Sequence, residues 1–138
     1  MATVLVTGAS GMLGQHLVPM LVSRGYQVLS PSRDDVDLTD AAATSAYIQS
    51  NTIDAVVHCA AYVAGIASSK ASKHHSFDVN VSMGMNLIRS CLDNGISTLL
   101  NVGSATVYPS DAPQPLSETS LGQGAFEGPI EGLSLIHI

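Results

Sequence analysis

With 138 residues, 46% of them hydrophobic and 12 of them glycine, the chain has the size and composition of about one globular domain. Five Lys and Arg against 11 Asp and Glu give a formal net charge of -6, the wrong sign for neutralising nucleic-acid phosphates, so no nucleic-acid partner is expected. No long apolar run and no basic leader is present, which argues against a membrane span or secretion signal and for the cytoplasm.

The first element in chain order is a strand over Thr3–Thr7, built on the apolar run Val4-Leu5-Val6. It leads directly into Thr7-Gly8-Ala9-Ser10-Gly11-Met12-Leu13-Gly14, and a helical pattern follows over 12–24, closed by Gly25 as its left-handed stop. That context makes the glycines a phosphate-gripping turn of a dinucleotide-binding fold. Gly8 permits the tight turn, Gly11 lets backbone approach a pyrophosphate, and Gly14 lets helix and strand pack. Ala9, Ser10, Met12 and Leu13 complete the cradle, and the helix start offers unpaired N–H groups and a positive dipole end.

A second strand over 27–30 runs into Ser32-Arg33-Asp34-Asp35. No acid stands at its tip, where a carboxylate would hold the ribose hydroxyls of NAD, whereas Arg33 fits a 2′-phosphate; NADP is expected over NAD. The competing reading pairs Arg33 with Asp34 or Asp35 on a solvated surface. Asp40 reads as the N-cap of a second helix to about residue 50. A third strand covers 55–59, and a third helix covers 76–94, with Phe77, Val81, Leu87, Ile88, Cys91 and Leu92 at helical spacing and Gly95 as its stop. The fourth strand covers 98–102. Such alternation winds into a doubly wound parallel sheet of the Rossmann type, an α/β fold. The segment 109–129, rich in Pro, Ser and Gly, reads as a substrate-side loop. Cys59 and Cys91 read as small buried hydrophobes. His58, His74 and His75 read as a strand residue and two loop residues, so no metal is expected.

Four stretches carry a more specific signal: 7–14; Ser32-Arg33-Asp34-Asp35-Val36-Asp37-Leu38-Thr39-Asp40; His58-Cys59-Ala60-Ala61-Tyr62-Val63-Ala64-Gly65-Ile66; and Gly103-Ser104-Ala105-Thr106-Val107-Tyr108-Pro109, continuing into Gln114-Pro115-Leu116-Ser117-Glu118. Together they resemble the extended short-chain dehydrogenase/reductases, in the branch of the GDP-L-fucose synthases. The resemblance implies an NADP-dependent epimerase/reductase acting on a nucleotide sugar, homodimeric as a whole enzyme. It implies that Asp37 and Leu38 hold the adenine, by a carboxylate hydrogen bond and an apolar contact. Ala60 and Ala61 are small where backbone runs beside the cofactor ribose, and Val102 joins this cofactor-binding set at the end of the fourth strand. Asn80 stands where the family has an asparagine near the active centre and is kept out of the catalytic set. Ser104 is the leading catalytic candidate, just beyond a strand's carboxyl edge, where its hydroxyl can donate to or accept from a sugar oxygen. In the family it works beside a Tyr-x-x-x-Lys pair, whose lysine lowers the phenol's pKa.

Two departures qualify that reading. Thr106, the second catalytic candidate, stands where the GDP-L-fucose synthases carry a cysteine, and a hydroxyl is a poor base for removing a proton beside a ketone. Its Ser-x-Thr-x-Tyr setting also suits a 4,6-dehydratase or 4-epimerase. Leu133 and His137 occupy the positions of the tyrosine and lysine, and 133–138 reads as a non-native tail translated from a transposon adapter. The expectation is an N-terminal fragment: an NADP-binding domain over 1–132, truncated after about four strands. It would bind cofactor weakly or not at all and perform no turnover. Its fourth strand would be an open edge, leaving Leu99, Leu100 and Val102 short of neighbours. A non-catalytic NADP-sensing module is the remaining alternative.

Overall fold

The computed structural model describes residues 1–63, 73–121 and 123. The chain divides into two compact units, Met1–Ala61 with Ser82–Val102, and Tyr62–Val81 with Gly103–Ile138.

The first unit holds β1 (Thr3–Thr7), α1 (Gly14–Ser23), β2 (Gln27–Leu29), α2 (Ala41–Gln49), β3 (Ala55–His58), the C-terminal part of α3 (Lys73–Asp93) and β4 (Leu99–Asn101). Its strands are parallel, in the order β2-β1-β3-β4. The chain leaves β1 toward β2 and then crosses back to place β3 on the other side. The winding direction therefore reverses between β1 and β3, and sheets of this kind bind ligands at the carboxyl ends of the strands flanking such a reversal. The loops beginning at Gly8 and Cys59 leave those two ends.

The register lines up Leu29, Leu5, Val56 and Leu99 across the four strands. On that face they pack with Ile48 of α2 and with Leu87 and Cys91 of α3. All five residues of β1 are buried, which is why its sequence is a continuous apolar run rather than an alternating one. The other face carries Val4 and Val6, both buried, and α1 packs along β1 and β2. Leu99 is half-buried against the core, so the expected loss of neighbours at β4 falls on Leu100, 55% exposed, and Val102, 37% exposed.

Helix ends follow their caps. Asp40 Oδ1 accepts from the backbone N–H of Ala42 and Ala43 at 2.8 and 3.0 Å, opening α2. Gly25, at φ 84°, closes α1 with Tyr26 N–H donating to the Leu21 carbonyl at 3.1 Å. α1 starts at Gly14, not at residue 12, because 11–13 complete the preceding turn. α3 starts before residue 76, so His74 and His75 are helical and not loop residues. Its inward face also differs from the expected stripe: Met83, Leu87, Ser90 and Cys91 are buried, whereas Ile88 and Leu92 are 45% and 73% exposed. Those two lie one residue step, about 100°, around the helix from Leu87 and Cys91. Among the described residues no helix is long and apolar enough to cross a membrane.

The second unit contains the N-terminal part of α3 and two short 3₁₀ turns, Ala105–Val107 and Glu118–Ser120. Asn80, 3% exposed, clamps Tyr62 on both sides: its Oδ1 accepts from Tyr62 N–H at 2.7 Å and its Nδ2 donates to the Tyr62 carbonyl at 3.0 Å. The His75 ring stands edge-on to Tyr62, with centroids 5.1 Å apart. The segment read as a substrate-side loop over 109–129 contains the turn Glu118–Ser120, capped by the Ser117 hydroxyl. Its later part, and the stretch 133–138, lie outside the described residues.

Candidate functional site

The turn after β1 is built on glycine for steric reasons that can be read atom by atom. Gly8 has φ 68°, a left-handed conformation that costs other residues roughly 1–2 kcal/mol. A Cβ there would also stand 2.6 Å from the backbone N and 2.7 Å from the Cα of Ala60. The turn leaving β1 thus rests directly on the turn leaving β3. A Cβ on Gly14 would run into the Gly8 carbonyl oxygen and the Ala9 Cα, so Gly14 lets the helix start pack onto the turn itself, rather than onto the strand as expected. Gly11 N–H donates to the Gly8 carbonyl at 3.0 Å, and Gln15 N–H to the Gly11 carbonyl at 3.0 Å, which carries the turn into α1. No side chain caps this helix start. The N–H groups of Met12, Leu13 and Gly14 donate to no described residue and can meet an anion, whereas those of Gln15 and His16 are taken by the Gly11 and Leu13 carbonyls; Ser10, Gly11, Met12 and Leu13 are exposed. A pyrophosphate fits such a cradle: backbone donors and a positive dipole end.

Sequence reasoning passed over what joins the two turns. Thr7 Oγ1 shares a hydrogen bond with His58 Nδ1 at 2.6 Å, and the Ala60 N–H donates to the same Oγ1 at 3.3 Å. Thr7 and His58 are 1% and 7% exposed. They sit opposite one another in the register of β1 and β3, so the threonine ending β1 is bonded both to the end of β3 and to the first turn residue beyond Cys59. A buried His and Thr ending two adjacent strands is a signal of this pairing, but it appears only once the register is known.

The segment after β2 is a second built surface. Asp35 Oδ2 accepts from both the N–H and the hydroxyl of Ser32 at 2.7 Å, folding 32–36 into a tight turn. Among the described residues Arg33 forms no ion pair, so the reading in which Asp34 or Asp35 neutralises it is not realised. Its exposed guanidinium can meet a phosphate. Four residues on, Asp37 Oδ1 accepts from Thr39 N–H at 3.0 Å and from the Thr39 hydroxyl at 2.7 Å, while Asp40 N–H donates to the Asp37 carbonyl at 3.0 Å. Asp37 thereby serves a turn, and its Oδ2 takes no hydrogen bond from a described residue. Leu38, half-buried, packs against the core.

Hydrogen bonds from Thr39 and, in Asp35, from Ser32 hold both carboxyls below the usual carboxylate range, with Arg33 adding a smaller effect on Asp37. A depressed folded-state value means stabilisation that is present above the unfolded value of about 4 and is lost as pH falls through the folded one. Thr39→Val is expected to return the Asp37 titration upward toward that ordinary value, followed by the carboxyl carbon shift in NMR; an unchanged midpoint would show that Thr39 does not hold the charge.

Ser104 and Thr106 belong to the second unit, the glycine turn to the first. Ser104 is half-buried, and its carbonyl accepts from Val107 N–H at 3.2 Å to start the turn Ala105–Val107, in whose backbone Thr106 lies. Val102 N–H donates to the His58 carbonyl at 3.0 Å, placing Val102 just past the carboxyl end of β4. Cys91 is buried in the core, whereas Cys59 is only half-buried, past the end of β3; both are free thiols pushed up by burial. Among the described residues no three His, Cys, Asp or Glu side chains converge as metal ligands.

This geometry has relatives. The chain is 34% identical over 131 residues to the GDP-L-fucose synthase of Azorhizobium caulinodans, covering 95% of itself and 42% of that protein. It is 32% identical over 135 residues to the GDP-L-colitose synthase of Yersinia pseudotuberculosis, covering 98% and 44%. Among solved structures, a GDP-D-glycero-L-gluco-heptose synthase from Campylobacter jejuni in the presence of NADPH superposes with a TM-score of 0.91 at 25% identity, over 98% of this chain and 40% of that one. A GDP-mannoheptose C4 reductase from Campylobacter jejuni with NADP bound gives 0.90 at 25%, over 98% and 43%. The chain therefore spans less than half the length of these relatives. Residues 4–132 match the description of one family, and on that match and this fold the chain belongs to the NAD dependent epimerase/dehydratase family.

Proposed function

We propose that this chain supplies the NADP-binding part of a nucleotide-sugar epimerase/reductase resembling the GDP-L-fucose synthases. One observation carries the reading: the Gly8–Gly14 turn rests on Ala60 at the reversal of the sheet, with an uncapped helix start beside it. In this reading 8–14 hold the pyrophosphate, Arg33 the 2′-phosphate, Asp37 and Leu38 the adenine, and Ala60, Ala61 and Val102 line the ribose and nicotinamide side. When bound, the cofactor supplies or accepts a hydride. Ser104 hydrogen-bonds the sugar oxygen at which the proton moves, with Thr106 beside it in sequence. The whole enzyme works in the cytoplasm as a homodimer. None of the four tyrosines of this chain is followed by lysine four residues on, so the 138-residue polypeptide is expected to show no nucleotide-sugar-dependent NADPH oxidation. A rate above background in that assay would contradict the reading.

Binding is the direct test. Titrating the chain with 2′,5′-ADP and with 5′-AMP, followed by amide shifts of 8–14, is expected to show weak binding, with 2′,5′-ADP preferred by about tenfold or more, the scale of one charge-assisted hydrogen bond. Arg33→Ser is expected to abolish that preference. The exposed turn after β1 supports weak binding over none; an equal response to both nucleotides in the unaltered chain would remove NADP, and no response to either would remove the function.

A second reading is favoured by Thr106: C4 chemistry alone, as in a 4-epimerase or 4,6-dehydratase. It is separated by substituting residues 1–132 for the matching part of a GDP-L-fucose synthase and following solvent deuterium into the sugar. Label at C3 and C5 supports epimerisation, and its absence supports the C4 reading.

A further inference from the structure

α3 reaches into the segment after β2 through one side chain. Asn86 Nδ2 donates to two consecutive backbone carbonyls, Leu38 at 2.9 Å and Thr39 at 3.1 Å. The Leu38 carbonyl also accepts from the Thr44 hydroxyl of α2 at 3.3 Å. Two helices, α3 and α2, thus converge on the two residues that follow Asp37, all within the first unit. An asparagine in a helix interior is a poor helix former, and this one spends its amide on a loop some 47 residues away in sequence rather than on its own helix.

The consequence lies in Asp37. Thr39 saturates Oδ1 with its N–H and hydroxyl, so the direction of Oδ2 is set by where Thr39 stands, and Thr39 stands where Asn86 holds its carbonyl. The carboxylate is ionised and can only accept a hydrogen bond. A fixed acceptor distinguishes a purine carrying an exocyclic amino group from one carrying a carbonyl oxygen at the same position, and a wandering acceptor does not.

We infer that Asn86 is a positioning residue for base selection: by holding Leu38 and Thr39 it aims Asp37 Oδ2 at the amino group of an adenine nucleotide. The inference rests on the cofactor reading above. It deepens that reading by assigning part of the base specificity to a helix that need not touch the ligand.

The test compares NADP with its hypoxanthine analogue, deamino-NADP, by amide-shift titration of the 138-residue chain and its variants. The unaltered chain is expected to prefer NADP by about tenfold, and Asn86→Ala to reduce that preference to about twofold or less, with Asn86→Gln recovering part of it. Asn94→Ala, which removes a bond from Asn94 Nδ2 to the Ser90 carbonyl at the end of the same helix, is the control and is expected to keep the full preference. A merely structural role would weaken both ligands alike and leave their ratio unchanged. A ratio unaltered in Asn86→Ala overturns the inference while leaving cofactor binding intact. Failure of the unaltered chain to bind either dinucleotide overturns the cofactor reading itself. Should Asn86→Ala unfold, the Asn86→Gln ratio decides: reduced selectivity supports the inference and full selectivity overturns it.

Discussion

Gly8→Ala is expected to destabilise the first unit by roughly 2–5 kcal/mol, a large share of the stability of a domain this size. Two contributions add. The left-handed backbone at φ 68° costs an alanine roughly 1–2 kcal/mol. The new methyl would stand 2.6 Å from the Ala60 nitrogen and 2.8 Å from the Cys59 carbonyl carbon, both backbone atoms of a turn tied to its strand, and overpacking of this kind typically costs about 1–3 kcal/mol. Gly25→Ala is the internal control, because Gly25 has φ 84° but no atom within 4 Å of its would-be Cβ. It should lose only the backbone part. Urea midpoints of the two variants measure the difference, and a Gly8 variant no less stable than the Gly25 variant would show that the two turns do not press on one another. The distinction matters for function: relief of the clash would spread the turns after β1 and β3, between which the cofactor reading places a dinucleotide.

Much of this site was legible in the sequence because its determinants are local. Glycine turns, the Asp40 cap and the left-handed stops at Gly25 and Gly95 are written within a few residues of the structures they produce, and the backbone there agrees. What was not legible depends on which elements meet. The periodicity of α3 admitted two neighbouring stripes, and only the contact with Leu5 and Val56 selects Leu87 and Cys91 for the core over Ile88 and Leu92. Nothing local marks Asn86, because its partners lie nearly fifty residues upstream. The resemblance makes Asp37 an adenine ligand; the carboxylate has two oxygens, and the turn engages one of them. Arg33 was weighed against an ion pair with its acidic neighbours, and Ser32 takes Asp35 instead.

Thr7→Val carries the second large effect, because it changes chemistry without changing shape. Thr7 is 1% exposed, and its hydroxyl meets both His58 Nδ1 and the Ala60 N–H. A valine fills the same volume while leaving the imidazole nitrogen without this partner and the Ala60 N–H without its acceptor. Each such loss costs about 1–3 kcal/mol, so a destabilisation of roughly 2–6 kcal/mol is expected. Thr7→Ser keeps the hydroxyl and loses only a methyl, for which about 1 kcal/mol is expected. Two measurements separate a packing role from a positioning one. Denaturant midpoints give the energies, and hydrogen exchange at Ala60 reports whether the start of its loop is released. Faster exchange in the valine variant but not in the serine variant would show that one hydroxyl at the end of β1 fixes the turn beyond β3. Equal exchange in both would confine the Thr7 side chain to the core and leave the position of Ala60 to the contact with Gly8 and to the backbone bond from Cys59 N–H to the Thr7 carbonyl.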